Sequence, residues 1–191
     1  MNPASKIKEP KVGKRIPKYL SEKEIELLRE ACHTEMVKAM FEFMFSIGCR
    51  IGEIVSLEKN DINWSNRSAI VRGKGDKERG VYFNIRSEIW LKRYIDNRND
   101  TDPAIFVTER HPHRMSVAQM RYIIKRISNR ARINKEIHPH QLRHSYATHL
   151  LNNGAPIEVI QSLMGNEKSE TTRIYAQLSG RHRKEFYQRY F

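Results

Sequence analysis

Apolar residues recur at three- and four-residue intervals along most of this chain, so the pattern is chiefly helical. Ser21-x-x-Glu24 is a reciprocal cap, and Ile25, Leu27, Leu28 and Ala31 supply the apolar side of the helix it opens. Met36, Val37, Met40, Phe41, Met44 and Phe45 predict a core helix from about Glu35 to Ile47, stopped by Gly48, and their side chains read as packing. Ile51, Ile54, Val55 and Leu57 give a further apolar turn. The period then shortens. Asp61–Trp64, Ala69–Arg72 and Arg79–Phe83 read as short strands, and the last two flank a tip, GKGDKE, punctuated by Gly73 and Gly75.

Helical spacing returns at Ile89, Trp90 and Tyr94, for a helix ending near Asn99; Ile105–Val107 reads as a short strand or an extended segment. Ser116-x-x-Gln119 repeats the cap and opens a helix to about Ala131. Its inner side is Val117, Met120, Ile123, Ile124 and Ile127, and its other side carries Arg121, Lys125, Arg126 and Arg130. Pro139 and Gly154 bracket another helix, Pro156 starts one that runs to about Met164, and Gly165 ends it. Ser169 opens a short helix, SETTRIYAQL. After Gly180 the amphipathic end RHRKEFYQRYF, with Phe186, Tyr187, Tyr190 and Phe191, reads as a closing core helix or as a segment that docks on a partner subunit. The expected fold is α+β, mostly α-helical, with one small three-stranded antiparallel sheet and no internal repeat.

Composition narrows the class. The 191 residues, 39% hydrophobic and 30% charged, suit one soluble domain with a real core. The net charge of +13 asks for a polyanion, most simply nucleic acid, with an anionic membrane surface as the rival. No apolar run approaches the roughly 20 residues of a membrane span. Residues 1–20 read as a basic arm or linker, through Lys6, Lys8, Lys11, Lys14, Arg15 and Lys18, and residues 21–191 as the folded domain. Cys32 and Cys49 have no metal spacing, which fits a reduced, cytoplasmic compartment.

The candidate chemistry centres on IHPHQLRHSYATHLLNNG, residues 137–154. Leu142, Tyr146 and Leu150 form its burying face; His140, Arg143, His144 and Ala147 share another. His140 and Arg143 meet where helix N–H groups already favour an anion, so a phosphate suits them. Arg50 and Glu53 lie one turn apart in CRIGEIVSL. By themselves they read as an exposed ion pair worth under about 1 kcal/mol. Lys74 and Lys77 project from the hairpin tip, as decoration or as a lysine delivered to a phosphate. The Gly-Lys run is not a nucleotide loop, because it lacks the glycine spacing and the following Ser or Thr. His140 and His144 in HQLRH lack the glutamate of the zinc-protease motif, and no metal is expected.

Taken in order, GCRIGEIVSL, GKGDKER, HPHQLRHSYATHLLNNG and TTRIYAQL resemble the catalytic domain of tyrosine recombinases, the phage-integrase and Xer-like site-specific recombinases. The resemblance implies DNA strand cleavage and rejoining through a 3′-phosphotyrosine, without metal, ATP or other cofactor. It implies Tyr175 as nucleophile, which needs help because a phenol of pKa about 10 is ionised only about once in a thousand at pH 7. Arg50 and Arg143 would clamp the non-bridging oxygens, Lys74 would protonate the departing 5′ oxygen, and His140 would assist proton traffic. Glu53 would hold Arg50 or a neighbouring ligand in place. Lys77, Arg79, Arg114, Ser116, Arg121 and Lys125 are the expected DNA contacts. The partners implied are double-stranded DNA and further copies of the chain, a tetramer on DNA and a monomer alone, with no membrane.

Two departures from the family pattern stand out. Asn166 occupies the place usually held by histidine, and an amide can donate to a phosphate oxygen but cannot exchange a proton near neutral pH. The helical N-terminal domain that usually completes the DNA clamp is not expected in residues 1–20, so DNA binding is expected to be weak and salt-sensitive. The alternative to an enzyme is a catalytically silent DNA-binding module.

Overall fold

Helix α2 (Glu35–Ile47) is the axis of the fold. It is buried nearly all round, from Met36 through Ile47, and packs on α4 (Ile85–Asp96) on one side and α6 (Pro139–Asn152) on another. The computed structural model describes residues 19–73, 75, 77–165, 187–189 and 191. Among the described residues the further elements are α1 (Glu22–Glu30), α3 (Ile51–Ser56), a 3-10 turn (Lys59–Asp61), β1 (Ile62–Asn63), β2 (Ser68–Arg72), β3 (Glu78–Tyr82), α5 (Val117–Arg130) and α7 (Ile157–Met164). The fold is therefore mostly helical with one three-stranded antiparallel sheet, in the order β1-β2-β3. None of the described helices is long and apolar enough to cross a membrane.

Local chemistry sets the boundaries. The Ser21–Glu24 and Ser116–Gln119 boxes both close reciprocally and start α1 and α5. Gly48 ends α2 in the left-handed region (φ 58°), and Gly165 ends α7 the same way (φ 65°). One buried charge in α2, Glu42, is held by the Nε and Nη2 groups of Arg29 at 2.7 and 3.2 Å.

Three elements differ from expectation. Asp61 belongs to the 3-10 turn, where its carboxylate accepts from the Glu58 N–H at 2.8 Å, so β1 keeps only two residues. Helix α4 starts at Ile85 because the Asn84 side chain caps the Ser87 N–H at 2.9 Å, and it stops at Asp96. Its buried side is Leu91 and Tyr94, while Ile89 points outward at 44% exposure. Residues 105 and 106 form a bend rather than a strand or extended segment, between isolated bridges from Ala104 to Glu58 and from Val107 to Arg114.

A second apolar cluster lies over α6 and α7. Tyr146, Leu150, Val159, Ile160 and Leu163 gather there with Tyr82 and Tyr187. The Tyr187 hydroxyl donates to the Ser46 carbonyl at 3.0 Å, and its ring stacks on Phe191 with centroids 5.1 Å apart. Tyr187 is thus part of the core. Phe186, Tyr190 and the expected Ser169 helix lie outside the described residues.

Candidate active site

Four chain segments end at one place: the C-terminus of α2, the N-terminus of α3, the middle of β3 and the C-terminus of α7. Helix α6 runs past it. Gly48, at the end of α2, has no side chain because the Tyr146 ring occupies the space; an added Cβ would sit 2.2 Å from Cδ1. The neighbour that fills this space is a tyrosine of α6. It brings Arg143 beside the ends of two helices. Arg143 donates from Nη1 to the Gly48 carbonyl at 2.6 Å and from Nη2 to the Met164 carbonyl at 2.8 Å. Both acceptors sit at helix C-termini, whose partial negative charge favours a cation. Arg143 is 8% exposed, and burial, followed by the charge of Arg50, lowers its pKa below the ordinary arginine value.

Arg50 is the N-cap residue of α3, and Glu53 lies in the helix's first turn. The Arg50 N–H donates to Glu53 Oε2 at 2.8 Å, and Arg50 Nη1 donates to Oε1 at 3.1 Å. The Arg50 side chain is 46% exposed, whereas that of Glu53 is 6% exposed, so this is not a surface ion pair. Burial alone would raise the Glu53 pKa. Hydrogen bonds from Arg79 and Arg50 overcome that and hold it below the usual carboxylate value.

Arg79 supplies the second pair of bonds, donating from Nη1 to Glu53 Oε1 at 3.0 Å and from Nη2 to Oε2 at 2.8 Å. Its Nε lies 3.4 Å from the Leu163 carbonyl, and Nη2 lies 3.5 Å from Cys49 Sγ. Burial pushes the Cys49 thiol up to about 12, so it stays protonated at neutral pH. Among the described residues, three guanidiniums thus gather at one carboxylate, Arg50 and Arg79 through hydrogen bonds and Arg143 through its charge. Such a set of cations suits an anionic phosphate.

The other expected site residues fall into three groups. His140 is exposed in the first turn of α6, and His144 lies one turn on, its pKa lowered by burial and then by the charges of His140 and Arg143. Arg121 and Lys125 are exposed on α5, Ser116 caps that helix, and Lys77 is exposed at the hairpin. Arg79 and Arg114 were expected at DNA but turn inward. Arg114 donates to the Val55 and Leu57 carbonyls at 2.8 and 3.2 Å and pairs with Glu58 at 2.9 Å. For Arg79 the reason is strand parity. It pairs with Val71 and shares a face with Val81, both buried, so the pleat points it into the protein. Alternation along RGVYF carried that signal in the sequence. Lys74, Asn166 and Tyr175 lie outside the described residues. A cleft of about 710 Å³ elsewhere, lined by Leu20, Ile25, Phe45, Phe83 and Ile85 among others, contains none of the arginine cluster.

Comparison with known proteins agrees with this arrangement. The model of the phage integrase family matches residues 18–182. The tyrosine recombinase XerA of Pyrococcus horikoshii is 32% identical over 185 residues, which cover 95% of this chain and 64% of that protein. A crystal structure of XerA recombinase superposes with a TM-score of 0.76 at 32% identity, covering 95% of this chain and 66% of that one. The XerH site-specific recombinase bound to its difH substrate, in a pre-cleavage complex, shares the fold, with a TM-score of 0.70 at 23% identity over 86% of this chain and 51% of that one. The chain thus spans less than two thirds of the length of these relatives. On the family match, the sequence identity and the shared fold, the chain belongs to the phage integrase family of tyrosine recombinases.

Proposed function

We propose that this chain is the catalytic domain of a site-specific DNA recombinase or integrase, cleaving and rejoining DNA strands through a 3′-phosphotyrosine. The observation that carries the reading is the cluster of Arg50, Arg79 and Arg143 around the carboxylate of Glu53, beside the N-terminal turn of α6 that holds His140. Such a site stabilises charge that grows on a phosphoryl group in the transition state. The DNA-bound XerH neighbour supports double-stranded DNA as the partner.

In this reading the Tyr175 oxygen attacks phosphorus and the bond to the 5′ oxygen breaks. Arg50 and Arg143 neutralise the non-bridging oxygens, Lys74 gives its proton to the leaving 5′ oxygen, and His140 assists removal of the phenol proton. Asn166 donates a hydrogen bond to the phosphate. The phosphotyrosyl ester keeps the energy of the broken bond, so rejoining needs no nucleotide. Lys77, Ser116, Arg121 and Lys125 contact the duplex, copies of the chain assemble on it as a tetramer, and the protein works in the cytoplasm on recombination sites such as those of mobile elements.

A duplex nicked just past the cleavage position tests this, because the cut fragment diffuses away and traps the intermediate. A covalent protein–DNA adduct is expected with the wild-type chain and none with Tyr175→Phe. DNA binding without any adduct from the wild-type chain would instead make it a silent DNA-binding module.

A further inference from the structure

We propose that Arg79 is a positioning residue for strand cleavage: through Glu53 it fixes the Arg50 guanidinium, and it ties that pair to the end of α7. The proposal rests on the cleavage reading above.

Each Glu53 oxygen accepts one bond from Arg79 and one from Arg50. Oε1 takes Arg79 Nη1 at 3.0 Å and Arg50 Nη1 at 3.1 Å; Oε2 takes Arg79 Nη2 at 2.8 Å and the Arg50 N–H at 2.8 Å. The carboxylate cannot turn toward or away from Arg50 without breaking the bonds to Arg79. Arg79 in turn is gripped from the far side. A Cβ on Gly165 would lie 2.8 Å from Arg79 Cζ, so the residue that ends α7, next to Asn166, rests directly on the guanidinium. A Cβ on Gly73 would lie 3.6 Å from both Arg79 Nη1 and Glu53 Oε1, so the root of the β2–β3 hairpin sits against the same pair. The hairpin that carries Lys74, the turn that carries Arg50 and the helix end before Asn166 thus share one planar group. Lysine is a point charge and cannot span two carboxylate oxygens and face a carbonyl at once, so it does not replace this arginine.

The test compares Arg79→Lys, Arg79→Met, Glu53→Gln and the double variant Glu53→Gln/Arg79→Met in the full chain. Single-turnover cleavage of the nicked duplex at saturating DNA is measured beside the DNA Kd. Arg79→Lys and Arg79→Met are expected to slow cleavage about 100-fold, the scale of a misplaced catalytic group, while Kd moves less than about twofold. Because both act through one carboxylate, the double variant is expected to cleave no more slowly than Glu53→Gln alone. The double variant also removes both buried charges together, so it folds even where Arg79→Met does not. Cleavage by Arg79→Met is expected to rise with pH over a range where the wild type is flat, because a buried carboxyl without its cation ionises later.

Wild-type rates in Arg79→Lys, a rate loss fully matched by a loss of DNA affinity, or multiplicative effects in the double variant would each overturn the proposal. Absence of any adduct from the wild-type chain would sink the cleavage reading instead, and inorganic phosphate then decides the role of Arg79. Saturable phosphate binding weakened alike in Arg50→Ala and Arg79→Lys supports positioning, and binding weakened by Arg50→Ala alone overturns it.

Discussion

The basic residues of α5 and those at the α3–β3–α6 junction do different work with the same charge. Arg121 and Lys125 stand exposed on a helix whose other side is Met120, Ile124 and Ile127. Their heads sit in water, where salt screens them and several geometries are equivalent. At the junction, Arg143 is fixed by the Gly48 and Met164 carbonyls and Arg79 by Glu53 and Leu163. There these two guanidiniums each have one geometry and little water around them, while Arg50 stays half-exposed. Exposed cations can raise DNA affinity uniformly, whereas held ones can favour one arrangement of phosphate oxygens over another.

The contrast can be broken most forcefully at Arg143. Arg143→Ala leaves two buried carbonyls without donors, and a loss of about 2–5 kcal/mol in unfolding free energy is expected, together with cleavage down by about a thousandfold or more. Urea titration and single-turnover kinetics read the two effects separately. Gly48→Ala comes next. It forces a Cβ to within 2.2 Å of the Tyr146 ring at a backbone φ of 58°. Overpacking and left-handed strain together are expected to cost about 2–4 kcal/mol in urea unfolding.

On the exposed face the effects are smaller and of another kind. Replacing Arg121 and Lys125 with glutamine is expected to weaken DNA binding several-fold at low salt and to flatten the dependence of log K on log salt by about one unit per lost phosphate contact. Cleavage at saturating DNA should not change. A drop in the saturated rate equal to that of the junction variants would erase the distinction between the two regions.

The smallest effect is on acid stability. The Glu53 pKa is held below its ordinary 4.5 in the folded chain. Its stabilising contribution is therefore complete above about pH 4.5 and is lost as the pH falls through the lower folded value. Thermal melts below pH 4.5 should fall less steeply in Glu53→Gln than in the wild type.

Much of this was legible in the chain. The apolar spacing of Met36 to Phe45 gave α2 its observed ends, and the Ser21 and Ser116 boxes placed α1 and α5, because these signals are local. Arg50, Glu53, Arg143 and His140 were recognisable from their motifs, and the folded chain places Arg50, Glu53 and Arg143 at one junction, with His140 on the first turn of α6. What was not legible depends on partners distant in sequence. Gly48 reads as a helix stop, and nothing nearby says that Tyr146, 98 positions later, fills its missing side chain. Arg114 reads as a surface cation in a basic protein, and only its tertiary acceptors, the Val55 and Leu57 carbonyls, turn it inward; for Arg79 strand alternation gives the direction, but not the partner, Glu53, 26 positions earlier. Ile89 sits at helical spacing yet points to solvent, because the buried side of α4 runs through Ser87, Leu91 and Tyr94 instead.

The central claim is that the junction neutralises charge on the scissile phosphate. It is tested most directly by removing that charge from the DNA. Cleavage of a nicked duplex carrying a neutral methylphosphonate at the scissile position should be compared with the ordinary phosphodiester, for wild type and Arg50→Ala. The defect of Arg50→Ala is predicted to be large on the phosphodiester and to shrink by about 100-fold or more on the methylphosphonate, which has less charge to neutralise. An equal defect on both substrates would contradict the account.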